Sequence, residues 1–239
     1  MLPKHKELLK DLALEKLAIE LSPDQIEKFS LYAELLVQWN EKVNLTSITE
    51  PEEIILKHFI DSLSLAPFVK GLKMADIGTG AGFPGVPLKI LLPEVKVYLV
   101  DSLAKRLDFL EVVIESLGLT DVETVHARAE DFARDPLYRE KFSCVTSRAV
   151  ARLPVLLEYA VPLLELGGYF LAAKGSQVDE EISESHKALQ VLGAEIKDVK
   201  RLSLGQEAEH RSIVVVEKLS HTPKGYPRKA GTPAKKPLL

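Results

Sequence analysis

Cysteine is nearly absent from this 239-residue chain, with Cys144 alone. That excludes a disulfide framework and any cysteine-rich metal site, so no metal is expected. Cys144 sits in an apolar run and reads as a buried thiol. No stretch approaches the ~20 apolar residues of a membrane span, so no membrane partner is expected. The first residues lead into a charged amphipathic segment and lack the apolar core of a secretory signal. The expectation is a soluble, cytoplasmic, monomeric protein. Internal repeats are lacking too. At 46% hydrophobic residues the chain can bury a substantial core, and its length suits one large α/β domain with a small extension.

An overall basic excess is missing, since the net charge is −4. The balance is uneven, however. Residues 221–239 hold Lys224, Arg228, Lys229, Lys235 and Lys236 and no acid, leaving 26 basic against 35 acidic residues elsewhere. An acidic body with a basic, proline-rich tail reads as a polyanion-binding arm, or more plainly as a solubilising tail.

What the chain does have is glycine in one place. Asp76 to Pro87 reads DIGTGAGFPGVP, after an apolar run at 72–77 and before a helical pattern at 86–92. Few Cβ atoms let the backbone turn sharply and let a ligand approach it. The following helix start is expected to aim free N–H groups at that ligand. Gly80 to Gly85 matches the dinucleotide pattern G-x-G-x-x-G, a weak signal alone. Gly78, Gly80 and Gly82 after Asp76 also form Asp-x-Gly-x-Gly-x-Gly, which resembles motif I of S-adenosylmethionine-dependent methyltransferases. Asp76 suits the sulfonium and ammonium of that cofactor and would repel a pyrophosphate.

Residues 1–70 read as helical. Ser22-Pro23-Asp24-Gln25 and Thr49-Glu50-Pro51-Glu52 are start signals. His58 and Asp61 lie three apart, as a local hydrogen-bonded pair or at the mouth of a cleft. From residue 71 to 220 strands and helices alternate, which predicts a mostly parallel sheet. Strands are expected at 72–77, 96–101, 122–126, 142–147, 169–173, 196–204 and 212–219, the last two as an antiparallel pair. A helix at 153–164 should end at Gly167-Gly168, and another should span 178–192. The predicted class is α/β: a Rossmann-like, seven-stranded methyltransferase sheet with a helical N-terminal extension at 1–70 and a tail at 221–239.

Ligands in such sheets bind beyond the carboxyl ends of the strands. Strand 2 ends at Asp101, about 20 residues past the glycines, where an acid can accept both ribose hydroxyls. By resemblance to the superfamily, adenine lies against Ala129 and Glu130. Strand 4 leads to Arg148, and strand 5 ends at Lys174; both are positioning candidates, and no acid or base is assigned. Strand 4 lacks the Asn/Asp-Pro-Pro-aromatic segment of amino-directed methyltransferases. A purine N7 needs no proton removed, so approach and alignment carry that chemistry. Arg128, Arg152, Lys174, Lys224, Arg228 and Lys229 are the RNA-contact candidates, with Arg201 and Arg211 possible additions to the patch. Each alone also reads as a solvated charge.

Four segments carry a more specific resemblance: 76–87 (DIGTGAGFPGVP), 147–152 (SRAVAR), 172–175 (AAKG) and 226–233 (YPRKAGTP). They are similar to the ribosomal RNA small subunit methyltransferase G family, also called glucose-inhibited division protein B. The resemblance implies methyl transfer to N7 of a guanosine in bacterial 16S rRNA, with the rRNA or the small ribosomal subunit as partner. It also implies that Gly78, Phe83, Ala129, Glu130 and Arg148 touch S-adenosylmethionine or line its pocket. Two other readings stand beside it: a non-catalytic RNA-binding assembly factor, and a nicotinamide-dependent reductase.

Overall fold

The computed structural model describes residues 1–204 and 210–239. Seven strands form one sheet in the order β3-β2-β1-β4-β5-β7-β6. These are β1 (Lys73–Ile77), β2 (Lys96–Asp101), β3 (Val122–His126), β4 (Phe142–Arg148), β5 (Leu164–Lys174), β6 (Ala194–Ser203) and β7 (His210–Lys218). The pairs from β3 to β5 are parallel, while β7 runs antiparallel to both β5 and β6. The chain leaves β1 toward β2 on one side and returns through β4 on the other. The loop after β1 therefore opens at the switch point, where such sheets take ligands.

Side chains alternate across the strands. Met74, Cys144, Leu171 and Val215 face one helical layer, and Ala75, Val145, Ala172 and Val214 face the other. The first layer includes the N-terminal helices Pro3–Leu17 and Pro23–Asn40, whose Leu9, Phe29, Tyr32 and Leu36 share one core with Val97 and Leu99. Ser22 caps the second helix in a full capping box with Gln25. Phe29, Tyr32 and Phe59 are fully buried and touch ring to ring. Truncating any one to alanine costs about 3–5 kcal/mol.

Four elements differ from the sequence reading. The helix starting at Pro51 becomes a π-helix over Ile54–Ile60, with one extra residue per turn. The helix at Leu153–Ala160 stops early, because Pro162 has no N–H to continue it. β5 then begins at Leu164 and bulges through Gly167 and Gly168, so these glycines lie inside a strand. A Cβ on Gly168 would sit 3.0 Å from the Phe142 carbonyl oxygen. Finally, the helix at 178–192 is two helices, Val178–Glu184 and His186–Leu192. The Ser185 hydroxyl between them donates to the Glu181 carbonyl at 2.6 Å, a back-bond that bends a helix.

Candidate active site

Asp76 organises the loop after β1 from inside the protein. It is fully buried. Its carboxylate accepts the Thr79 hydroxyl (2.6 Å), the Gly85 amide (2.9 Å) and the Thr146 hydroxyl of β4 (3.1 Å). Burial raises its pKa to about 6 against the lowering effect of these bonds. This corrects the expectation that Asp76 meets cofactor cations directly. It holds the loop, and no carboxylate surface reaches the cleft.

The loop amides also differ from expectation. Gly78 and Thr79 donate to the Val100 carbonyl, Gly82 and Phe83 to that of Thr79, Gly80 to Asp101, and Gly85 to Asp76. Six amides are thus engaged within the protein instead of aimed at a ligand. A pyrophosphate needs such amides, so the nicotinamide reading loses its anchor.

Each glycine has a separate reason. Gly82 (φ +97°) lies against Tyr32, and an added Cβ would be 2.6 Å from its hydroxyl. That hydroxyl donates to the Ala81 carbonyl. Gly78 (φ +68°) borders a cavity, with Val150 2.4 Å from a hypothetical Cβ. Of the loop glycines, only Gly78 lines a ligand-sized space; Gly80 and Gly82 shape the loop behind it.

That space, about 500 Å³, is bounded by Gly78, Asp101, Arg106, Ala129, Val150 and Tyr159 among others. Asp101 Oδ1 accepts the Leu103 amide at 2.9 Å, and Oδ2 accepts Gly80 at 2.9 Å and Arg106 at 3.3 Å. Oδ1 retains acceptor capacity for a hydroxyl. The Glu130 carboxylate is buried and accepts the Gly231 amide at 2.7 Å. Glu130 thus lines the cavity and also anchors the Gly231 amide. Burial, and then Glu130, push Tyr159 up to about 12, so it is a neutral donor.

A second cavity, about 580 Å³, lies on the other side of the β4 end. Arg148 lines this cavity and not the first one. Its guanidinium donates to Asp61 (2.7 Å) and to the Lys57 carbonyl (3.1 Å), lies 3.3 Å from His58 Nδ1, and covers the Phe83 ring at 5.0 Å. Phe83 is buried beneath, stacked on His58 at 4.4 Å, and lines neither cavity. His58 and Asp61 do not bond each other; both serve Arg148. Burial first and Arg148 second hold His58 at about 3, so it is neutral. A neutral ring accepting from Arg148 at Nδ1 donates through Nε2 to Thr46 Oγ1, 3.0 Å away. Asp61 also accepts from Arg211 at 3.1 Å.

Lys174 lines this cavity but is paired with Glu181 (2.6 Å) and the Ala151 carbonyl (2.9 Å), so it is not the open cation expected for RNA. Arg152 pairs with Glu184 at 2.7 Å, and Arg201 with Asp179 at 2.5 Å. Arg128, Lys224 and Lys229 are exposed. Arg228 is not: its guanidinium and backbone amide hold the buried Glu158 through four bonds of 2.6–3.1 Å. It is a structural pair and leaves the RNA-contact set.

Ala149 lines both cavities in the left-handed region, at φ 55°. A non-glycine residue there costs about 1 kcal/mol and marks a site that the surroundings impose. Sequence reading missed Tyr32, Thr146, Glu181 and Tyr159 as site-building residues. All act through contacts distant in sequence, and only Thr146, at a strand end, carried a local signal.

Residues 25–213 match the family model described as rRNA small subunit methyltransferase G. A protein called ribosomal RNA small subunit methyltransferase G from Desulfitobacterium hafniense is 77% identical over the whole of both chains. One of the same name from Acetivibrio thermocellus is 51% identical, over 96% of this chain and 98% of its own. Among solved structures, a SAM-dependent methyltransferase from Aquifex aeolicus superposes with a TM-score of 0.53 at 20% identity, over 70% of this chain and 93% of its own. A SAM-dependent O-methyltransferase from Thermotoga maritima gives 0.53 at 16%, over 79% and 72%. At those identities the structures speak to the fold, which is the class I methyltransferase sheet. The sequence matches speak to more, and by them the chain belongs to the rRNA small subunit methyltransferase G family.

Proposed function

We propose that the protein transfers the methyl group of S-adenosylmethionine to N7 of a guanosine in 16S rRNA. The cavity at Gly78 and Asp101 takes the cofactor, and the cavity at Arg148 takes the base. One observation carries the reading: the two spaces meet at Ala149, beside the switch-point loop. The first also fits the donor in kind. Asp101 offers an acceptor for a ribose hydroxyl, and the engaged loop amides leave no cradle for a pyrophosphate.

When bound, S-adenosylmethionine supplies an electrophilic methyl carbon on a cationic sulfur. The chain supplies position. Arg148 is fixed on four sides and offers a planar guanidinium where a base enters. No side chain needs to remove a proton from N7, and neutral His58 is held by Thr46 and Arg148 instead of facing a substrate proton. N7 is recessed in an A-form groove, so the guanine is presented unstacked. Exposed Arg128, Lys224 and Lys229 form the phosphate-contacting rim, with Lys57 and Arg211 in the base cavity. The partner is 16S rRNA or the small ribosomal subunit, and the protein works as a cytoplasmic monomer. No helix among the described residues is long and apolar enough to cross a membrane.

The test is incubation with tritiated S-adenosylmethionine and 16S rRNA or small subunits, followed by reduction and aniline cleavage at 7-methylguanosine. Label at one cleavable guanosine is expected. Label on another base would overturn the N7 reading, and bound donor without transfer would favour the non-catalytic assembly factor.

A further inference from the structure

The tail was expected to lie along RNA, and the structure gives most of it other work. From β7 onward it is tied to three carboxylates of the body. Glu140 holds the Lys218 ammonium at 2.7 Å, His221 at 2.7 Å and the Thr222 amide at 3.1 Å. Glu158 holds Arg228, and Glu130 holds the Gly231 amide. Arg139 reaches out to the Thr222 carbonyl at 2.8 Å and that of Tyr226 at 2.6 Å. Pro233 and Leu238 are buried. Glu130 and Glu158 are themselves buried, and an unpartnered buried carboxylate is costly. The tail and the body therefore satisfy each other.

The last of these ties ends at the cofactor cavity. Gly231 and Ala234 line it together with Gly78 and Tyr159. The Glu130 carboxylate ties this wall to the body by accepting the Gly231 amide, with Tyr159 lining the same cavity. Gly231 makes the turn at φ +80°, where other residues are strained.

We infer that residues 231–234 are a wall of the S-adenosylmethionine site, on its adenine side, with Glu130 as the post that positions them. This rests on the cofactor reading of that cavity. It makes donor affinity depend on a segment far along the chain from the glycine loop and separates the tail's two faces. Ala234 looks into the cavity, while the exposed Lys224, Lys229 and Lys236 point to solvent.

The chain offers a clean probe. Its single thiol, Cys144, is fully buried, and burial raises it to about 12, so it reacts poorly with maleimides. Ala234→Cys and, as control, Lys236→Cys each add one accessible thiol to the full-length protein. Maleimide labelling is timed with and without saturating S-adenosylhomocysteine, whose binding to the unaltered protein is first measured by calorimetry. The expected result is at least about tenfold slower labelling at position 234 and less than about twofold change at 236. Unchanged labelling at 234, or equal slowing at both, would overturn the inference while leaving the cofactor reading intact. No binding to the unaltered protein would overturn both. As a second measurement, Ala234→Trp should weaken S-adenosylhomocysteine binding at least about tenfold with an unshifted melting temperature. Undiminished affinity in that folded variant would count against the wall.

Discussion

The two cavities that meet at Ala149 are built from different materials. The cofactor side is a backbone structure. Glycines at 78, 80 and 82 turn the chain, and two buried carboxylates, Asp76 and Asp101, hold its amides. The base side is a side-chain structure. Arg148, His58, Asp61, Arg211, Lys174 and Glu181 come from four parts of the chain and fix one another. The first is rigid because its loop amides are bonded to β1, to β2 and to the loop itself. The second is rigid because each charge is balanced by a distant one. Faults should therefore differ: a change in the loop should remove donor binding, and a change in the charge network should remove transfer while donor binding persists.

The largest effect is expected from Asp61→Ala. It leaves Arg148 and Arg211 facing each other without their shared carboxylate, at a cost of about 3 kcal/mol. Methyl transfer should fall on the order of 100-fold with S-adenosylmethionine affinity unchanged in calorimetry. A matching loss of donor affinity would erase the distinction between the cavities. Next is Gly78→Asp, which puts a side chain against Val150 at a positive φ and into the cofactor cavity. Donor binding should weaken by about 100-fold, close to 2.7 kcal/mol, while the fold survives by circular dichroism.

A pH series sharpens the comparison, because each cavity has a buried titrating group with the opposite sign. His58 sits near 3 when folded, below its ordinary 6.5. Its neutral form contributes stability above pH 6.5, and that stability is lost as pH falls toward 3. Asp76 sits near 6, above its ordinary 3.8. It contributes stability below pH 3.8, lost as pH rises through 6. Measured by urea unfolding at pH 4, 5 and 6, His58→Gln should gain on the unaltered protein as pH falls. Asp76→Asn should gain as pH rises. Each slope should reach at most about 1.4 kcal/mol per pH unit. Parallel slopes would mean that one of the two groups is not buried as described.

The smallest effect concerns the exposed lysines of the tail, which line neither cavity. Lys224→Ala with Lys229→Ala should flatten the dependence of RNA binding on salt by about 1.4 in log–log slope, two phosphate contacts on single-stranded RNA. Donor binding and melting temperature should stay put. An unchanged slope would remove the exposed tail lysines from the rim.

The backbone cavity was the legible one. DIGTGAGFPG announces a turn that only glycine makes cheaply, and Asp101 lies at the spacing expected for its partner. Even so, the sequence could not tell a glycine that faces a ligand from one that faces Tyr32. Nor could it tell an acid that meets a ligand from one that braces a loop. The side-chain cavity was hardly legible. His58 and Asp61 stood out, but their common partner lies near position 148, and the π-helical turn that presents them has no local signature. Gly167-Gly168 misled because glycine pairs usually end helices, whereas here Pro162 had already ended one and the pair serves a bulge. The tail misled for a simpler reason: its composition is that of a segment that cannot build a core, and its order is borrowed from carboxylates elsewhere.

That borrowing sets an order of assembly. A nascent chain that has reached β7 holds every strand of the sheet, yet Glu158 and Glu130 still lack the donors at positions 228 and 231. Two acids must remain hydrated until the chain grows by another dozen residues, so the helices that carry them, Leu153–Ala160 and Ala129–Arg134, cannot finish packing any earlier. Completion of this face is thus tied to residues made after the last strand and not to formation of the sheet.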